Sequence, residues 1–292
     1  RVFYSSRMNR KNFKLSDGRN LEYLTNALKS DSAVILHAGT TQDITGWQTW
    51  FDYFASHGIF ALSFGRSGYA GSTKMPGRIT IDVANDVAEL ASHLGISKFV
   101  NIGLSGGGQH AVATGLDSRS AGVVTVGSLA PFAELGDNFY TGMQEADLDE
   151  YAEALRDINL LVKRFQKWQE VGVSETIAGT ELSERDKLAS SKPAWKILLD
   201  SSSFTMQQGW DWVADDYSSY LKPWGFDPRD VKVPAVIWQG GLDKNVPVQH
   251  GKWLAENMPN SRLELREDES HLGIYVNYEE EIMQSAIALL TA

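Results

Sequence analysis

The feature that most limits how this chain can fold is a repeated alternation. Short β-rich apolar runs, "SAVILHAGT", "IFALSFG", "KFVNIGLS" and "AGVVTVGSLAP", are separated by segments of helical character, "GWQTWFDYFASHG", "ITIDVANDVAELASHLG" and "GGQHAVATGL". A strand that is apolar at every position is buried on both faces. Short strand–helix–strand connections place the helices over those faces by right-handed crossovers. The pattern therefore predicts an α/β fold with a mostly parallel sheet and helices on both sides. In the first helical segment Trp47, Trp50, Phe51 and Phe54 recur at i, i+3, i+4 and i+7, which gives one apolar stripe. Upstream, "FKLSDGRNLEYL" reads as a hairpin turning at Asp17-Gly18.

The rhythm breaks after Pro131. From Phe132 to about Phe226 the sequence is helical in character and rich in charge and tryptophan, with no convincing strand. Alternation resumes with "VPAVIWQGGLD", "VQHGKWLAENMP", "SRLELREDESH" and the closing helical segment "NYEEEIMQSAIALL". The expected organisation is one core built from residues 1–131 and 227–292, with residues 132–226 as a helical lid inserted after the sixth strand.

Composition narrows the function classes. At 292 residues and 42% hydrophobic, the chain has material for one large core. The absence of cysteine excludes disulfides and thiolate metal sites. No apolar run approaches the ~18 residues that span a bilayer, and the basic first 15 residues lack the apolar stretch of a signal peptide. A cytoplasmic location and no membrane span are expected. The net charge of −10 offers no footprint for a phosphate backbone, so a nucleic-acid partner is not expected. The basic residues gathered before position 15 read as a solvated end.

The chemistry is carried by "GLSGGGQHA". Gly103-Leu104-Ser105-Gly106-Gly107 stands where a strand should hand over to a helix. A serine on such a turn adopts a strained backbone, and glycines on either side avoid the resulting clashes. Its hydroxyl is then exposed at a helix N-terminus, with the Gly106 N–H free to face a developing oxyanion. A serine nucleophile needs a base oriented by a carboxylate. On this layout both should follow Ser105, each after a later strand. Asp243 comes 138 positions later, and His271 comes 28 beyond that. Glu134 and Asp227 are weaker candidates for the acid. Of the other histidines, His37 ends an early strand, and His57, His93, His110 and His250 fall in or at the ends of helices. Thr40, in "HAGTT" after the third strand, is the expected second oxyanion donor, with Gly39 letting the backbone approach; a plain turn accounts for Gly39 nearly as well.

Taken together, "HAGTT", "GRSGYAGST", "GLSGGGQHA", "QGGLDKNVP" and "ESHLG", in this order, resemble the α/β-hydrolase superfamily across essentially the whole chain. The chain is similar to bacterial, often actinobacterial, hydrolases with a Ser-Gly-Gly-Gly elbow, including at "GWDWVADDYSSYLKPWGF". The resemblance implies an α/β-hydrolase sheet and a Ser-His-Asp triad, but no particular substrate. Thr41 stands where many relatives have proline, and Gly65 and Ser67 depart from a common Asp-Arg-Pro-Gly-Tyr pattern. Dehalogenases and epoxide hydrolases of this fold carry aspartate at the elbow, so Ser105 argues against both.

The insertion holds Trp168, Trp195, Trp210, Trp212 and Trp224. Phe132, Phe139, Tyr140 and Trp210 are candidates for the apolar wall of a substrate pocket; for any one of them the insertion's own core is the commoner place. Glu134 to Asp157 carries eight acidic residues against Arg156 alone, which reads as a solvated helical face. The expected function is a carboxylesterase acting on small to medium apolar esters through an acyl-enzyme. A C–C bond hydrolase, an amidase or aminopeptidase, a perhydrolase and a non-catalytic ligand binder are the alternatives. A small-molecule substrate is the expected partner, no cofactor or metal is called for, and a homo-oligomer is left open.

Overall fold

The computed structural model describes residues 10–171, 183–206 and 209–292. Eight strands form one sheet: β1 (Lys11–Lys14), β2 (Asn20–Thr25), β3 (Ser32–His37), β4 (Phe60–Phe64), β5 (Lys98–Leu104), β6 (Ser120–Val126), β7 (Ala235–Gly240) and β8 (Ser261–Arg266). Their order is β1-β2-β4-β3-β5-β6-β7-β8. The β1–β2 pair is antiparallel, as the Asp17-Gly18 hairpin requires; β2–β4 is antiparallel as well, and every later pair is parallel.

Side chains alternate across the sheet, so each strand feeds two cores. Ala33, Ile35, Phe60, Leu62 and Phe99 pack against Val83, Val87 and Leu90 of helix Thr80–His93. Val34, Leu36, Val100, Ile102, Val124 and Val236 face the other way. They meet Trp50 and Phe54 of helix Gln48–Ser56 and Ile282, Met283 and Ala286 of helix Glu279–Thr291. The expected aromatic stripe is therefore the face that closes this second core.

Between β6 and β7 the described residues form helices Phe132–Leu135, Glu145–Arg156, Ile158–Val171, Glu184–Ser190, Pro193–Met206 and Asp211–Tyr220, and no strand. Their aromatics divide. Trp195 joins the sheet core with Trp47 and Trp50, and Trp224 joins Val112, Ala235 and Leu254. Trp210 and Trp212 pack with Leu161, Phe165 and Tyr69. The Trp168 side chain and residues 172–182 lie outside the described residues, as do residues 1–9 at the basic N-terminus. One element differs from the sequence reading: a short helix, His271–Asn277, precedes the closing helix. Ser270 caps it by accepting the Gly273 N–H at 3.0 Å, and donates its own hydroxyl proton to Asp186 of the insertion. The cap bond itself is local, whereas the Asp186 partner that takes the Ser270 proton lies 84 positions away. Among the described residues no helix is long and apolar enough to cross a membrane.

Trp50 is fully buried and stacks on Tyr275 with ring centres 5.1 Å apart. Replacing it with alanine is expected to cost about 3–5 kcal/mol. This would be read as a lower urea midpoint at an unchanged denaturant slope.

Candidate active site

The parallel strands deliver their C-terminal ends to one edge of the molecule, and the candidate residues follow those ends. Ser105 comes directly after β5, Thr40 three residues after β3, Asp243 three after β7 and His271 five after β8. Ser105 opens a tight turn, Ser105–Gly107, before helix Gly108–Thr114. Its φ is +50°, a left-handed conformation that non-glycine residues rarely hold. The half-buried hydroxyl points at His271, with Oγ to Nε2 at 2.9 Å.

On the far side of the ring, Nδ1 lies 2.7 Å from Asp243 Oδ2. Asp243 is buried, and its Oδ1 accepts the N–H groups of Asn245 at 2.9 Å and Val246 at 2.8 Å. The carboxylate is thus fixed by backbone donors, and its other oxygen faces the imidazole with the Gln239 amide 3.5 Å away. An Nδ1–H directed at Asp243 leaves the Nε2 lone pair facing the serine hydroxyl. Burial alone would lower the His271 pKa, but the charge of Asp243 and its hydrogen bond outweigh this and raise it above the usual 6.5. Gly127, after β6, makes room for the pair. A Cβ there would lie 3.0 Å from His271 Nδ1 and 3.1 Å from Asp243 Oδ2.

Thr40 sits beside the turn. The Gly39 N–H is taken up by Gln42 Oε1 at 2.9 Å, whereas no acceptor among the described residues meets the Thr40 N–H. The Thr40 hydroxyl contacts the Tyr220 hydroxyl. A methyl group at Gly106 would collide with both.

The weaker candidates lie elsewhere. Glu134 is on the surface, paired with Arg229 at 2.8 Å, and Asp227 caps the turn Pro228–Asp230. His57 ends a helix against the Tyr53 carbonyl, and His93 stacks on Phe13. His37 is buried against Asn101, and burial pushes its pKa down to about 3. His110 is likewise buried and held well below its ordinary value, first by burial and then by Arg66 and Arg78. His250 accepts the Ala130 N–H and donates to the Phe139 carbonyl at 2.9 Å; burial lowers it to about 4, so it remains neutral.

Of the four aromatics expected along a pocket, Phe132, Phe139 and Tyr140 form one cluster with Leu129, Tyr151, Tyr220 and Val246, between the Thr40 and Asp243 loops. Trp210 belongs to the other cluster, 1% exposed and stacked on Phe165 with ring centres 5.1 Å apart. An aromatic count cannot show which way a helix turns its rings.

Polar contacts from the insertion reach all three loops of the site. Gln144 N–H donates to Lys244 O and Asn245 Nδ2 to Asp147, beside Asp243. Arg185 pairs with Glu269 and Asp186 with Ser270, beside the histidine. Asp216 and Tyr220 reach the Thr40 loop. Asp216 is fully buried between Arg66 and Arg78. Burial alone would raise its pKa, but the two guanidiniums hold the carboxyl well below the usual range. Residues 66, 78, 127, 216 and 220 were not singled out from sequence. "GRSGY" carries Arg66, "DDYSSY" carries Asp216 and Tyr220, and "AGVVTVGSLAP" carries Gly127.

Residues 32–278 match the α/β hydrolase fold family, and the chain belongs to it. The solved structures that share the fold at low identity include these three. One is an α/β hydrolase fold protein from Nakamurella multipartita, with a TM-score of 0.70 and 19% identity over 97% of this chain and 99% of that one. Another is an esterase from Exiguobacterium antarcticum, with a TM-score of 0.69 and 18% identity over 97% and 99%. The third is an enol-lactonase from Burkholderia xenovorans LB400, with a TM-score of 0.67 and 16% identity over 97% and 100%.

Glu150, buried in the insertion, accepts the Tyr217 hydroxyl, and desolvation pushes its pKa up to about 8. Between its ordinary 4.5 and that value, the folded chain keeps a proton that the unfolded chain has released, so its contribution to stability falls as pH rises. The thermal midpoint of Glu150→Gln is expected to fall less than that of the wild type between pH 5 and 8, as measured by circular dichroism.

Proposed function

We propose that this hydrolase works through Ser105, His271 and Asp243, and that it is a carboxylesterase for small to medium apolar esters. The observation that carries the reading is the unbroken hydrogen-bond line from Ser105 Oγ through the imidazole to a carboxylate fixed by backbone donors, at 2.9 and 2.7 Å. His271 takes the serine proton as Oγ attacks the ester carbon, and the carbonyl π pair moves onto oxygen. The N–H groups of Gly106 and Thr40 receive that oxyanion. Collapse expels the alkoxide, which takes the proton from His271 and leaves as the alcohol. Water, deprotonated by the same imidazole, then attacks the acyl-enzyme. A second collapse releases the acid and returns the proton to Ser105.

Residues 132–226 act as the lid over this centre, with Phe132, Phe139 and Tyr140 along its apolar wall. An esterase and an enol-lactonase built on the same fold agree with ester chemistry.

A fluorophosphonate is expected to add once to the wild type and not to Ser105→Ala or His271→Ala, as read by intact mass. Each variant should lose about 10⁴–10⁶ in kcat on p-nitrophenyl acetate. An adduct that survives in Ser105→Ala would overturn the reading.

The imidazole must be unprotonated to act as a base, so activity rises with pH through its pKa. The acid limb of kcat/KM is expected above the 6.5 of an ordinary histidine. A pH–rate profile with no acid limb would remove His271 as the base.

A further inference from the structure

The loop that carries Thr40 is poorly determined by its own sequence. Gly39 leaves the chain free to turn, and Thr41, a β-branched residue, is held at φ +67°. Such a conformation persists only where the surroundings impose it. Here the surroundings come from the insertion. Asp216 and Tyr220 stand one turn apart on helix Asp211–Tyr220. The Asp216 carboxylate receives Arg66 Nη2 at 2.6 Å, Arg78, the Tyr69 hydroxyl and the Tyr220 hydroxyl at 3.0 Å.

Two of these partners continue to the loop. Arg66 Nη1 donates to the Ala38 carbonyl, and the Tyr220 hydroxyl contacts Thr40 Oγ1. The Thr40 N–H belongs to the peptide unit between Gly39 and Thr40, so it is clamped from both sides. The same hydroxyl pair packs on Gly106, which carries the other N–H.

We infer that Asp216 and Tyr220 are positioning residues for the oxyanion site, so that the insertion completes the catalytic geometry as well as covering it. This rests on the Ser105–His271 reading of the site. Asp216 does not touch the reacting atoms; it acts through Arg66 on Ala38, and on Thr40 both through Tyr220 and by accepting the Thr40 hydroxyl at 3.4 Å. Positioning is separable from charge. Two guanidiniums against one carboxylate leave the cluster positive. If charge alone mattered, removing the carboxylate would favour an oxyanion and speed the reaction. Loss of a clamp slows it.

The test compares the wild type with Tyr220→Phe and Asp216→Asn on p-nitrophenyl acetate. Tyr220→Phe keeps the ring in its apolar cluster with Leu129, Phe139 and Tyr151, so the fold is retained and the thermal midpoint checks it. A displaced oxyanion donor is expected to lower kcat about 10- to 100-fold with KM little changed, since the lost interaction exists only in the transition state. Affinity for a trifluoromethyl ketone, which forms an oxyanion on Ser105, should fall by the same factor. The acid limb of the pH profile should stay where it is, because His271 is untouched. Asp216→Asn, where it folds, should also be slower.

Wild-type kcat in Tyr220→Phe, or a folded Asp216→Asn that is faster than wild type, overturns the inference alone. A wild type that neither hydrolyses the ester nor takes a fluorophosphonate adduct overturns the hydrolase reading, and this inference with it.

Discussion

Ser105 holds its backbone at φ +50°, and the centre of the molecule is built around that one strained residue. A left-handed conformation costs a non-glycine residue about 1–2 kcal/mol, so its neighbours must leave it no alternative. They do so by close approach. A Cβ at Gly103 would meet the Gly107 carbonyl and the Gly108 Cα, and one at Gly107 would meet the His37 and Ala38 carbonyls. One at Gly108 would overlap Ser128. The ends of β3 and β6 therefore press directly on the turn after β5. That pressure aims the serine hydroxyl at the imidazole and keeps the following N–H beside Thr40.

Most of this centre was legible because its determinants are local or ordered along the chain. Fully apolar runs announced the central strands, and the aromatic stripe at Trp47, Trp50, Phe51 and Phe54 announced its helix. Glycines packed around a serine announced the turn. Asp243 and His271 could be named because a parallel sheet sends every strand end to the same edge. What escaped was non-local. Arg66 and Asp216 are 150 positions apart, and Thr40 and Tyr220 are 180 apart. Each motif reads alone as an ordinary turn or helix, and only the folded sheet brings the two together. Trp210 escaped for a related reason, because its direction is set by Phe165 and Tyr69 and not by its own segment.

The polar contacts of the insertion are spread with some economy. Asp147 meets the Asp243 loop, Arg185 and Asp186 the His271 loop, and Asp216 and Tyr220 the loop of Thr40. Three of these groups are carboxylates, and each receives hydrogen bonds from the loop it reaches or from an arginine beneath it. Asp216 is the fully buried one of these, and a buried ion pair adds little net stability but fixes register sharply, since a misdocked helix would strand an unpaired ion. The apolar clusters supply adhesion; the ions determine which arrangement is allowed.

That spread also sets an order of assembly. The insertion precedes β7 and β8 in the chain, yet the loops met by Asp147, Arg185 and Asp186 follow those strands. As the polypeptide emerges N-terminus first, the insertion is made before two of its three moorings exist. Asp216 can reach Arg66 and Arg78 early, whereas Asp147 and Arg185 must wait for the last 60 or so residues. Contacts that distant in sequence form late. The Ser105 turn can take shape as soon as β6 pairs with β5, and Asp243 and His271 join it only when the C-terminal strands close the sheet.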